Sequence, residues 1–265
     1  MHTYTCLFKG LKMKKILLLL LLLSPSVSIA QVNIETIRSD ADSKDFFFGQ
    51  VKGGLELQRG NVEITSYGLE LISHLKTIEQ HLFLKLSTSQ GEQGDTKFKN
   101  ESFGHLRWTF MPWPVGFEVF TQFQHDEFKS LRLRQLNGVG LRLEVFRIKD
   151  DSTFVMSLGS GAMTDYELLT NGNEDISIRS TTYLSVAKSF DKKKKNLILL
   201  TLYYQPLFAN PKDYRINIEA NLNTILISSW NISISNSVNF LYDTNPPDDV
   251  LTNDLIVKTS LVYNW

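Results

Sequence analysis

The sequence predicts an all-β fold, an up-and-down antiparallel transmembrane β-barrel of about twelve strands. Three observations predict it. The chain opens with an export signal. Period-two alternation runs along nearly all of the remaining chain. The last alternating segment ends on a tryptophan, Trp265.

The export signal occupies residues 1–30. Lys9, Lys12, Lys14 and Lys15 form a basic start, Ile16 to Leu23 is an unbroken apolar run, and Ser28-Ile29-Ala30 is a small-x-small cleavage site before Gln31. The apolar run is too short and too early for a spanning helix. Met13-Lys14-Lys15 is itself a conventional signal start, which would make residues 1–12 an extension. Cys6, the single cysteine, lies upstream of the cut, and residue 31 is Gln. The mature chain therefore has no disulfide, no thiolate metal ligand and no lipid-modified cysteine.

Charge narrows the partners. The signal carries four lysines and no acid, so the mature chain holds 24 basic residues against 28 acidic ones. No basic excess exists to neutralise phosphates, which argues against a nucleic-acid partner.

The alternation defines the elements. Leu82, Leu84 and Leu86 alternate with Phe83, Lys85 and Ser87, and Leu141, Leu143 and Val145 with Arg142 and Glu144. Ile216, Ile218 and Ala220 alternate with Arg215, Asn217, Glu219 and Asn221. The candidate strands are 46–58, 62–76, 80–90, 101–111, 115–125, 131–147, 153–167, 177–190, 196–208, 213–227, 230–244 and 253–265. Most exceed a usual globular strand, whereas a tilted strand needs about 9–11 residues to cross a bilayer core. The even number places both termini on one side, the periplasmic one. Residues 31–45 precede the first strand as a polar periplasmic segment, either a tail or a partial plug, and 46–265 form the barrel.

The connections are expected to be unequal. Those at 77–79, 112–114, 149–152 and 228–229 are short, as periplasmic turns are. Those at 91–100, 126–130, 168–176 and 245–252 are expected to be longer outer loops. All four tryptophans, Trp108, Trp113, Trp230 and Trp265, then fall at the periplasmic ends of strands, with Tyr263 beside the last. An amphipathic indole is suited to such a membrane interface.

The terminal strand carries Leu255, Val257, Thr259, Leu261, Tyr263 and Trp265 on one face. A barrel can leave no free edge in lipid, so its last strand must pair with its first. The pattern resembles the C-terminal signal of outer-membrane proteins. That resemblance implies the barrel assembly machinery as a partner, beside the outer-membrane lipids.

A closer resemblance covers most of the mature chain. It runs from Asn33-Ile34-Glu35-Thr36-Ile37-Arg38 through Gly53-Gly54-Leu55-Glu56-Leu57-Gln58-Arg59-Gly60-Asn61 to His105-Leu106-Arg107-Trp108. It continues through Phe120 to Phe128, Leu131-Arg132-Leu133-Arg134, Gly138-Val139-Gly140-Leu141-Arg142 and Tyr242-Asp243-Thr244-Asn245-Pro246-Pro247. These segments resemble the salt-induced outer-membrane proteins (YdiY-like), a family defined by a domain of unknown function. The resemblance implies a barrel in the Gram-negative outer membrane and a link to salt or osmotic stress. It implies no catalytic residues.

On the alternation, the inward face carries Lys52, Glu56, Glu70, Lys85, His105, Arg107, Glu118, Arg132, Arg142, Glu144, Arg215, Glu219 and Lys258. Such residues either form a neutralising network in a filled barrel or line a narrow, selective channel; twelve strands lie between the filled and the open sizes. A lipid hydrolase would need Ser and His at the outer rim. Only His125 reaches that end, and no Gly-x-Ser-x-Gly occurs. His74 and His81 flank the 77–79 turn without a third metal ligand. The 192–195 lysine run is a solvated turn or a headgroup contact, and Asp248, Asp249 and Asp254 lack an EF-hand spacing. The expectation is a non-enzymatic envelope barrel, structural or a narrow pore for ions and small polar solutes, with no metal and no cofactor. A lipid-modifying hydrolase and a protein acting through its outer loops are the alternatives.

Overall fold

The computed structural model describes residues 46–58, 64–112, 114–148, 154–190, 195–247 and 250–265. The export signal, residues 31–45, Trp113, Lys192 to Lys194, Asp248 and Asp249 lie outside the described residues, as do the side chains of Glu56, Leu57, Gln58 and Ile64.

Twelve strands follow one another in sequence: β1 (Phe47–Gln58), β2 (Ile64–Lys76), β3 (Gln80–Gln93), β4 (Thr96–Phe110), β5 (Val115–Asp126) and β6 (Leu131–Ile148), then β7 (Phe154–Leu169), β8 (Glu174–Ser189), β9 (Asn196–Pro206), β10 (Tyr214–Ile227), β11 (Ile232–Asp243) and β12 (Asn253–Asn264). Each pairs antiparallel with its sequence neighbour, and β12 pairs with β1, so the sheet closes. Every strand thereby has a paired neighbour on each side, β1 and β12 over the four residue pairs from Gln50–Asn264 to Gly53–Leu261.

The two faces are inverted relative to a water-soluble core. Along β9, Leu197, Leu199, Thr201, Tyr203 and Gln205 are buried inward, while Ile198, Leu200, Leu202 and Tyr204 are exposed outward. Along β5 the buried set is Glu118, Phe120, Gln122 and Gln124, and the exposed set is Phe117, Val119 and Phe123. Successive residues of a strand point to opposite faces, so a one-residue slip would put every charge into the outer apolar band.

Aromatic residues ring both ends of that band. At the end carrying Phe46 and Trp265, Trp108 stacks on Phe110 and meets Phe117 edge-on, and Trp230 and Tyr263 are exposed. At the far end Tyr204, Tyr214 and Tyr242 form a chain with ring centroids 5.6 and 6.0 Å apart, and Tyr67 is exposed towards the same end of β2. Two such girdles are a hallmark of outer-membrane barrels.

The connections correct the expected asymmetry. The expected 91–100 loop is strand: β3 runs to Gln93 and β4 starts at Thr96, joined through Gly94 at φ +58°. The expected 168–176 loop shrinks to 170–173, where Gly172 adopts φ +88°. Both glycines supply the left-handed conformation a tight turn needs. The far side is therefore set apart by strand extensions more than by long loops. Trp230 belongs to a 3-10 turn, Ser228–Trp230, ahead of β11.

Candidate functional site

The lumen gathers nearly all the chemistry-bearing side chains, in tiers along the barrel axis. The far tier centres on Asp165 of β7. Arg134 of β6 donates to its two carboxylate oxygens at 2.9 and 2.8 Å, and Arg215 of β10 donates to Oδ2 at 2.5 Å. Arg179 of β8 approaches the same oxygen at 3.4 Å and donates to Asp213 at 2.8 Å. Arg215 also donates to Glu167 at 2.9 Å and to Asp243 at 2.6 Å. Three guanidiniums thus share four carboxylates, so burial leaves none of these charges without a counter-charge. Beside this tier, a cavity of about 140 Å³ opens at the mouth between Glu101, Gln124 and Asp126 on one side and Arg215, Asp243 and Asp254 on the other. Lys129 bridges the mouth to Asp254 at 2.9 Å.

The tier nearest the termini is a chain of four side chains from four strands. Arg107 of β4 donates to Glu118 of β5 at 3.2 Å, and Thr109 donates to the same carboxylate at 3.3 Å. Tyr183 of β8 donates to Glu118 at 2.8 Å and accepts from Arg142 of β6 at 3.0 Å. Arg142 also donates to Ser157 at 2.7 Å. The Arg107 guanidinium lies 4.9 Å from the Phe120 ring centroid, a cation–π contact. Glu144 pairs with Arg147 below this chain.

Glycines make room for the aromatics here. Phe120 lies opposite Gly138, and Tyr183 opposite Gly159. A Cβ at either glycine would collide with the ring it faces. The rings therefore lie against the wall instead of crossing the lumen. Gly138 serves close approach.

A histidine–phenylalanine ladder lines β1 to β5. Phe48 stacks on His74 at 4.6 Å, His74 shares a 2.8 Å hydrogen bond with His81, and His105 donates to Gln122 at 3.0 Å. His74 and His81 meet across the β2–β3 hairpin because Lys76 pairs with His81 and Leu75 with Leu82, which sets the two inward rings on a diagonal. Among the described residues no group of three His, Cys, Asp or Glu is placed to hold a metal.

The middle tier is lysine-rich. Both oxygens of Glu70 are occupied, by Lys52 at 2.9 Å and Lys85 at 2.9 Å. Lys258 of β12 shares the inward face with buried Ile256 and Ser260 but is itself exposed. Glu219 of β10 accepts from Asn221 at 2.7 Å.

The wall itself is uneven. From β3 to β9 it carries large inward side chains such as Phe83, Arg107, Tyr183 and Tyr203, all buried. From β10 to β12 many inward positions are small and polar: Asn217, Asn221, Ser233, Ser235 and Ser260, all buried, and Ser237; Ile256 and Val262 are buried there too. Ser237 and Glu219 there are only partly covered.

Of the expected inward residues, the structure turns Glu70, Lys85, His105, Arg107, Glu118, Arg142, Glu144, Arg215, Glu219 and Lys258 into the lumen. Arg132 is the correction. The β6–β7 register slips between Leu131 and Leu133, and this bulge leaves Arg132 exposed at the rim. Asp165, Arg134, Arg179 and Tyr183 were not singled out from the sequence. Each continues the parity of its strand, and that parity was the available signal. His125 is at the far rim, 3.0 Å from the Arg132 carbonyl oxygen, and among the described residues no serine hydroxyl bonds to it.

Three comparisons bear on this barrel. A family model described as a protein of unknown function, DUF481, matches residues 51–265. No curated protein matches the chain. Among solved structures, the NanC porin is similar at 8% identity over 82% of this chain and 97% of its own, with a TM-score of 0.45. The translocator domain of the autotransporter NalP from Neisseria meningitidis is similar at 9% identity over 86% and 91%, with a TM-score of 0.42. The likeness is one of fold; strand number and closure stand on the strand pairing itself.

Proposed function

This chain belongs to the DUF481 family of proteins of unknown function, and we propose that it is a Gram-negative outer-membrane barrel whose lumen passes ions or small polar solutes. The apolar outer band and the two aromatic girdles support a bilayer crossed by strands. Delivery there would use the barrel assembly machinery, engaging β12 through its Tyr263–Trp265 end.

The observation that carries the pore reading is the unevenness of the lumen. The β3–β9 wall carries large side chains cross-braced by ion pairs, which extend to β10 and β11 at the far tier through Arg215 and Asp243. The β10–β12 wall bears short hydroxyl and amide side chains and an exposed ammonium, Lys258. On that wall Ser237 and Glu219 are only partly covered and Lys258 is exposed, so they can meet a moving solute, which is what a conducting wall requires. The test is single-channel recording of the refolded mature protein in a planar bilayer. Discrete current steps are expected, with selectivity altered in the double variant Glu118→Gln, Arg142→Gln. A folded but silent barrel would overturn this function and turn the search to lipid substrates and loop partners.

A further inference from the structure

We propose that the middle tier is an anion site, in which Lys258 receives small solutes bearing a carboxylate or phosphate as they pass the serine-lined wall. The proposal rests on the pore reading and adds the solute class.

The charges in contact do not balance. Glu70 gives one carboxylate to two ammoniums, Lys52 and Lys85, and both of its oxygens are engaged. Lys258 stands in the field of those three groups and of Lys99, which pairs with Glu101, and makes no ion pair among the described residues. Glu219 across the lumen also acts on Lys85 but accepts from Asn221 instead of meeting a lysine. The far and terminal tiers differ, since there each buried guanidinium is held by a carboxylate or hydroxyl at hydrogen-bond distance.

Position makes this imbalance usable. Lys258 is opposite Ser237 in the β11–β12 register, and Ser260 is opposite Ser235. Ser237 donates its hydroxyl to the Lys258 carbonyl oxygen at 3.4 Å, so an anion at the ammonium would take that donor over from a long hydrogen bond. Lys258 is exposed, so its ammonium can be reached. A cleft with low-dielectric walls and one excess sign of charge concentrates counter-ions of the opposite sign.

Two measurements test this, with Lys258→Glu as the variant and the exposed loop variant Lys212→Gln as control. The first is the reversal potential in a potassium chloride gradient. The wild type is expected to prefer chloride, and Lys258→Glu to lower the chloride-to-potassium permeability ratio about tenfold, as reversing a unit charge in such a cleft should. A cation-preferring wild type, or an unchanged ratio in Lys258→Glu, would overturn the proposal. The second does not need a current: the thermal midpoint of the detergent-folded barrel with and without inorganic phosphate. A phosphate-dependent rise in the wild type and in Lys212→Gln, absent in Lys258→Glu, supports the site even if the barrel is silent, a result that overturns only the pore. No rise in the wild type together with no current overturns both.

Discussion

Trp265 is locked to Gly49 at the seam of the barrel. The two residues exchange backbone hydrogen bonds, Trp265 N–H to the Gly49 carbonyl at 3.0 Å and Gly49 N–H to the Trp265 carbonyl at 3.3 Å. The indole occupies the place where a Cβ on residue 49 would stand, and the Ile72 carbonyl closes the other side. The terminal aromatic thus covers the β1–β12 junction, whose paired stretch runs only from Gln50–Asn264 to Gly53–Leu261.

Gly49→Val should therefore open the seam. The expected outcome is loss of the compact, heat-modifiable band on an unheated denaturing gel. Gly53→Ala is the matched control, because a Cβ there meets nothing within 4 Å. It should leave the band intact and could add a few tenths of a kcal/mol by restricting the unfolded chain, up to about 1 kcal/mol. Equal behaviour of the two variants would refute the seam argument.

Asp165 should be the most costly single carboxylate to remove. Three guanidiniums converge on it, and its side chain is 1% exposed. Asp165→Ala leaves them facing Glu167, Asp213 and Asp243 without the shared centre. The expected loss is about 3–5 kcal/mol, the scale for breaking a buried ion pair, read by urea titration of folding into lipid. A loss under about 1 kcal/mol would mean that water screens the far tier as it does a surface pair.

Gly159→Ala tests the fitted rings. The added methyl would displace the Tyr183 ring, and with it the hydroxyl that joins Glu118 to Arg142. Overpacking of this kind costs about 1–3 kcal/mol. The same displacement pushes the ring towards the lumen, so single-channel current should fall as well. Unchanged stability and current together would show that the wall has slack.

Leu200→Arg tests the membrane. Leu200 is in mid-strand on the outer face, paired with Val186 and Ala220. An arginine at the bilayer midplane of a barrel costs about 2–4 kcal/mol. On a water-facing surface the same change would stay within about 0.5 kcal/mol. Denaturant titration in phospholipid vesicles separates the two cases.

Parity was legible without the structure. Alternation alone assigned Glu70, Arg107, Glu118 and Lys258 to one face and Leu141, Leu143 and Leu261 to the other, because a strand has only two faces. The number of strands was legible for the same reason. Strand ends were less so: residues 91–93 and 96–100 are mostly polar and read as loop, yet they pair as strand because β2 extends beside 91–93 and 96–100 fold back onto 90–93. The bulge that turns Arg132 out has no signature in its side chains, since it is set by the offset between two neighbouring ladders.

What the sequence by itself determined is therefore the architecture: local chain geometry couples residue order to face, and the cost of an unpaired edge in lipid demands closure. What only the tertiary structure decided is which charges meet. Arg215 reaches Asp165 from 50 residues away, and Tyr183 reaches Glu118 from 65. Those contacts depend on strand stagger and barrel curvature, which bring non-adjacent strands within hydrogen-bond distance across the lumen. The same closure sets Glu70 of β2 between Lys52 of β1 and Lys85 of β3, and no reading of a single strand could show that.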